Sequence, residues 1–129
     1  MLPEPYRLHR RTDFSRTVRR GRRIGRRDLV VHVLLADEQE AANPDHPSTR
    51  MGGPRFGLIV SKAVGNAVVR HRVARRLRHI CASVIVDLPD GADVVLRALP
   101  GAADAPSEEL RRQLRTGLRK LGVLTGSDA

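Results

Sequence analysis

The sequence predicts a mixed α/β domain, and three observations predict it. Residues 28–36 (DLVVHVLLA), 55–61 (RFGLIVS) and 94–99 (VVLRAL) are short, apolar and largely β-branched, as strands are. Residues 66–87 instead repeat their apolar positions at helical spacing. A chain of 129 residues is also the size of one domain around one core.

Taken in order, Thr12 is placed to cap a short helix that runs to Arg20, with Gly21 as its stop. Phe14 and Val18 lie four apart and share a face of it. In the first strand, Leu29, Val31, Val33 and Leu35 fall on one side, and Val30, His32 and Leu34 on the other. Residues 37–54 are acidic and rich in Pro and Gly, and read as a mobile loop, long for a compact domain. Phe56, Leu58 and Val60 share a face of the second strand.

A helix is expected from Asn66 to Asp87. Val69, Val73, Leu77, Ile80, Cys81 and Val84 form its apolar arc. His71, Arg72, Arg75, Arg76, Arg78 and His79 fill the opposite arc, with Arg70 at the border. PDGAD turns the chain into the third strand. Ser107 is placed to cap a last helix whose buried stripe is Leu110, Leu114, Leu118 and Leu121. No repeat or second domain is visible, so residues 1–129 read as a single RNA-binding domain once charge is considered.

Charge is the main functional signal. The chain has 24 Lys and Arg against 14 Asp and Glu, a net charge of +10, and only Lys62 and Lys120 of the 24 are lysine. The excess is segregated. Residues 1–28 carry +7, 29–54 carry −3, 55–83 carry +7 and 84–129 carry −1, and no carboxylate occurs between Asp45 and Asp87. Such a distribution speaks to partners, and polyanions lead. Cys81 is the single cysteine, so a disulfide within the chain and a zinc-type cysteine cluster are both excluded, and a reducing compartment is expected. The N-terminus has no secretory-type apolar core and no run reaches membrane-span length, so a cytoplasmic location is expected.

The segment 66–79 (NAVVRHRVARRLRH) concentrates that signal, with five Arg, two His and no acid. A merely solvated helix face usually mixes Glu with Arg at i,i+4 to relieve repulsion. This one does not, which points to phosphate binding driven by counterion release. Ahead of it, SKAVG brings Lys62 and a turn at Gly65 to the helix start, where exposed amides favour an anion; a plain turn is the competing reading. Phe14, among Arg10, Arg11 and Arg16, is either a core residue or a platform for an unpaired base. His32 is either a half-buried strand residue or part of an RNA-facing cleft floor. No nucleophile–base set has a local signature, and the acids are kept apart from the cations, so no catalytic residue and no metal ligand is assigned.

The stretch RFGLIVSKAVGNAVVRHRVARRLR resembles the signature of the protein subunit of bacterial ribonuclease P. Lys62, Gly65, Asn66, Ala67, Val68, Arg70, Arg72, Arg75 and Arg78 match it, and RLHRRTDFSRTVRRG is similar to the family's basic run with its Asp-Phe pair. His71 stands where the family's Arg-Asn-Arg has Asn, Ala74 where it usually has Lys (Arg76 offers a replacement charge), and Val18 and His32 where many members have aromatics.

The resemblance implies an α+β two-layer sandwich like the second domain of ribosomal protein S5, with a left-handed βαβ crossover at the basic helix. It implies RNA contacts from Lys62, Gly65, Asn66, Arg70, His71, Arg72, Arg75, Arg76 and Arg78. Phe14, Val18 and His32 would face the single-stranded 5′ leader of precursor tRNA. The implied partners are the catalytic RNA subunit and precursor tRNA, with neither a membrane nor a protein partner. Mg²⁺ would be used by the RNA subunit and substrate, with no protein-held site. A general RNA-binding or ribosome-associated module is the alternative, and a self-sufficient nuclease a third class.

Overall fold

The computed structural model describes residues 2–38 and 52–124; most of the 37–54 loop lies outside the described residues. Four strands form one sheet in the order β1-β2-β4-β3: β1 (Arg22–Gly25), β2 (Leu29–Leu34), β3 (Arg55–Ile59) and β4 (Asp93–Ala98). β1 and β2 form an antiparallel hairpin, β2 pairs antiparallel with β4, and β3 runs parallel to β4. A parallel pair of neighbours needs a crossover. Here it is the long helix α2 (Ala67–Val84), followed by a 3₁₀ turn at Ile85–Asp87 where the expected helix was to continue.

Cross-strand partners share a face, so register assigns the two sides of the sheet. Leu29, Val31, Val33, Phe56, Val94, Leu96 and Ala98 point inward and are buried. Over them lie α2, through Val73, Leu77, Ile80, Cys81 and Val84, and α3 (Ser107–Lys120), through Leu110, Leu114 and Leu118. Sheet and helix pair make the two-layer core. Each aliphatic side chain buried there contributes about 1.5–3 kcal/mol. Burial pushes the Cys81 thiol far up, so it serves as a small packing residue rather than a nucleophile.

The opposite face carries Arg23, Val30, His32, Leu34, Asp93, Val95, Arg97, Arg55, Gly57 and Ile59, and α1 (Arg11–Arg20) lies across part of it. Three expectations change. Residues 22–25 form a strand that the arginine-rich sequence conceals, because Ile24 is its single core-facing apolar residue. Helix α1 starts one residue before Thr12; Arg10 is its N-cap, and no side chain caps it. Pro106, with its fixed extended geometry, is the N-cap of α3, which moves Ser107 inside the helix.

A buried polar corner joins the sheet to α3. The Gln113 Oε1 accepts from the Asp28 amide at 2.9 Å, and its Nε2 donates to Asp28 Oδ2 at 2.8 Å. Both side chains are almost fully buried, and their mutual satisfaction is what makes that burial tolerable.

Candidate nucleic-acid interface

The cationic surface is built at the β3-to-α2 connection. After β3 the chain makes a 3₁₀ turn at Lys62–Val64 and reverses at Gly65, whose φ of 157° and ψ of −166° lie in a region essentially confined to glycine. A Cβ there would also sit 2.8 Å from Val69 Cγ1. Asn66 is then the N-cap of α2: its Oδ1 accepts from the Val69 amide at 3.0 Å. The carbonyl oxygen of that cap is therefore committed to the helix, and the amide nitrogen remains for a ligand.

Along α2 the expected arginines divide into two groups. Arg72, Arg75 and Arg78 are exposed, together with His71 and His79, and Lys62 stands beside them on the approach. Arg70 and Arg76 are half-buried. Arg70 Nε donates to the Val60 carbonyl at 3.2 Å, and Arg76 Nη1 reaches the Ala105 carbonyl at 3.4 Å. These two therefore brace the helix against β3 and the loop before α3 while keeping further N–H groups outward. No carboxylate occurs in α2, and Asp87 beyond its end is turned to Arg115 at 3.2 Å.

An open groove of about 970 Å³ runs along this face. Its apolar floor includes Ala67 and Val68, Val68 being 74% exposed, and its walls include Arg72, Arg75 and Arg78. Arg7 joins it from the N-terminal segment, which lies alongside β3 through the Arg7–Phe56 bridge and an Arg7 Nε bond to the Leu2 carbonyl at 2.8 Å. Arg7 was not among the expected contacts; only a tertiary bridge brings it to α2. Multiple guanidinium groups around an apolar floor suit a phosphodiester backbone.

A second site lies under α1. Phe14 is half-buried and packs on Gly57 of β3, where a Cβ would come within 2.4 Å of its ring. Glycine in mid-strand is the signal for this close approach. Val18 is half-buried on the same helix, and Val30, Ile59 and Arg97 continue the sheet face beyond. His32 is on this face too, but at 3% exposure it is buried rather than half-buried, and among the described residues neither ring nitrogen has a hydrogen-bond partner.

Burial, then the charges of Arg97 and Arg23, hold the His32 pKa below its ordinary 6.5. The neutral ring in the folded state faces an unfolded chain that protonates at the ordinary value. Stability is therefore full above about pH 6.5 and declines as the pH falls below it. Thermal melts on acidification should show this decline, and His32→Leu should flatten it; an unchanged pH slope would remove His32 as its source.

What positions α1 is a charge network around Asp93, a residue that the sequence places in the PDGAD turn. Arg55 Nε and Nη2 donate to the two Asp93 oxygens at 3.0 and 2.9 Å, and Arg55 Nη1 lies 3.6 Å from Asp13, which also accepts from Arg16 at 2.9 Å. Burial alone would lower the Arg55 pKa, but the Asp93 hydrogen bonds and the Asp93 and Asp13 charges outweigh it and raise it. Among the described residues no three His, Cys, Asp or Glu side chains converge as a metal site would need, and no helix is long and apolar enough to cross a membrane.

The chain matches the family model described as Ribonuclease P over residues 2–122. A ribonuclease P protein component from Nocardia farcinica is 67% identical over 135 residues, covering 98% of this chain and 86% of the relative. One from Rhodococcus opacus is 62% identical over 127 residues, covering 96% and 94%. Among solved structures, the RNase P protein of Staphylococcus aureus superposes with a TM-score of 0.73 at 24% identity, covering 100% of both chains. That of Thermotoga maritima reaches 0.66 at 21% identity, covering 85% of this chain and 92% of its own. At such identities the structural likeness carries the fold, and the sequence relatives carry the family.

Proposed function

The chain belongs to the ribonuclease P protein family, and from that premise we propose how its surfaces divide the work. It acts as the protein component of the ribonucleoprotein, rather than as a general RNA-binding module. The exposed cations of α2, with Lys62 and the Asn66 amide, hold the RNA subunit. The cleft of Phe14, Val18 and the open sheet face beside His32 takes the single-stranded 5′ leader of precursor tRNA. The observation that carries this division is an acid-free guanidinium face on α2, set apart from the sheet face on which the half-buried Phe14 ring packs at Gly57. Hydrolysis belongs to the RNA subunit, with Mg²⁺ held by RNA. Asp13 and Asp93 are engaged by Arg16 and Arg55, consistent with a structural use of the carboxylates nearest the cleft. A cytoplasmic site of action accords with this role.

Physically, the protein offsets phosphate repulsion and places the leader. Reconstitution tests the reading. Added protein should raise leader cleavage by the cognate RNA subunit at low Mg²⁺. No improvement would end the processing role, and cleavage by protein freed of RNA would place the chemistry in this chain instead. The leader cleft has its own test. Gly57→Ala pushes a methyl into the Phe14 ring, and should weaken binding of leader-bearing precursor several-fold more than binding of mature tRNA. Equal losses for both would assign the ring to folding alone.

A further inference from the structure

A further cationic surface lies at the far edge of the sheet, away from α2 and bordering the leader-facing side only at Arg23, which pairs across the hairpin with His32. Residues 19–27 contain Arg19, Arg20, Arg22, Arg23, Arg26 and Arg27 and no acid. The structure turns this run into the end of α1, the edge strand β1 and the tip of its hairpin with β2. β1 is three strand spacings from β3, about 14 Å, and α3 lies between it and α2 on the core side.

The surface is held in shape by internal bonds. Arg22 Nη1 donates to the Leu121 carbonyl at 2.7 Å, and its Nη2 pairs with Glu38 at 3.3 Å. Gly117 of α3 lacks a Cβ where one would sit 3.3 Å from Ile24 and 3.7 Å from Arg26 Cδ, so the hairpin lies close on α3. Arg26 Nε is buried there without a hydrogen-bond partner among the described residues. Arg23 and Arg27 are exposed, Arg23 on the His32 side of the hairpin and Arg27 within reach of the Glu109 charge of α3, which Arg112 already pairs. Asp28, the next acid in sequence, is buried, with its Oδ2 accepting from the neutral Gln113 amide, so it presents no carboxylate at this surface.

We infer that the β1 hairpin and the end of α1 form a second phosphate-binding surface, which grips the backbone of a base-paired segment of the RNA subunit. The inference rests on the family's ribonucleoprotein role. No aromatic residue occurs in 19–27, so the surface offers charge without a stacking platform. That chemistry suits the phosphates of a duplex, whereas the Phe14 cleft suits unpaired bases. Two separated cationic surfaces on one RNA convert the second contact into an intramolecular one and raise overall affinity.

The test is binding of full-length protein to the RNA subunit alone, as a function of salt. Arg23→Ala/Arg27→Ala removes two exposed cations and should lower the salt slope by about two and the affinity roughly 10- to 30-fold. Arg111→Ala/Arg112→Ala removes the same formal charge from guanidinium groups paired with Glu108 and Glu109, and should change the slope much less. An unchanged slope for Arg23→Ala/Arg27→Ala would overturn the inference. So would a loss confined to precursor tRNA, or aggregation with no loss of RNA affinity, which would mean that the arginines only guard an exposed strand edge. Combination with Arg72→Ala/Arg75→Ala should be additive. If only the α2 variant weakens binding, the second surface fails and the proposed function stands; if only the β1 variant does, the α2 assignment fails.

Discussion

Replacing Arg72 and Arg75 with Ala should weaken binding to the RNA subunit at least tenfold and lower its salt slope by about two. Both side chains are exposed on the outer face of α2, away from the stripe of Val73, Leu77, Ile80 and Val84 that anchors the helix. Folding should be untouched, since neither residue holds α2 to its neighbours; Arg70 and Arg76 do, through Val60 and Ala105. Fluorescence titrations at several salt concentrations measure the slope, and thermal melts provide the folding control. A weakened affinity with an unchanged slope would mean that these arginines read RNA shape or bases rather than phosphate. Arg70→Ala is the instructive contrast, because lost packing would then accompany lost charge.

Asp93→Ala should destabilise the protein by about 1.5–3 kcal/mol, the worth of charged hydrogen bonds, because the Arg55 it leaves behind is only half-buried. Asp93 is 1% exposed and meets the Arg55 guanidinium with both oxygens. Without it, the acid left to Arg55 among the described residues is Asp13, at the longer distance of 3.6 Å, and the cation is under-compensated beneath α1. Urea unfolding measures the loss. The apolar double replacement Asp93→Leu/Arg55→Met should recover much of the stability, because neither charge then needs a partner. Leader binding should not recover equally, since the tie from Arg55 to Asp13 that helps seat α1, and Phe14 with it, is gone. Full recovery of both would limit the network to stability alone.

The helices were legible because their apolar stripes are long: Val73, Leu77, Ile80 and Val84 in α2, and Leu110, Leu114 and Leu118 in α3, each repeat over several turns. β2, β3 and β4 were legible as apolar runs. β1 was not, since a four-residue strand with one core-facing apolar residue leaves no period to read. Caps failed at Thr12 and Ser107 because a capping residue is defined by its backbone angles, and Arg10 and Pro106 hold the extended ones.

The sequence by itself determined the chemistry of the partner. Charge segregation, the acid-free helix 67–84 and the signature around Lys62–Arg78 are local in the chain, and each points to RNA. Only the tertiary structure decided which cations are presented to it. Arg70 and Arg76 are drawn to backbone carbonyls, Arg7 is carried to α2 by its bridge to Phe56, and Arg23 and Arg27 come to stand on a separate edge. His32 became buried for the same kind of reason. The cover over a strand residue comes from a helix elsewhere in the chain, and the spacing of residues within a strand carries no record of what packs above it.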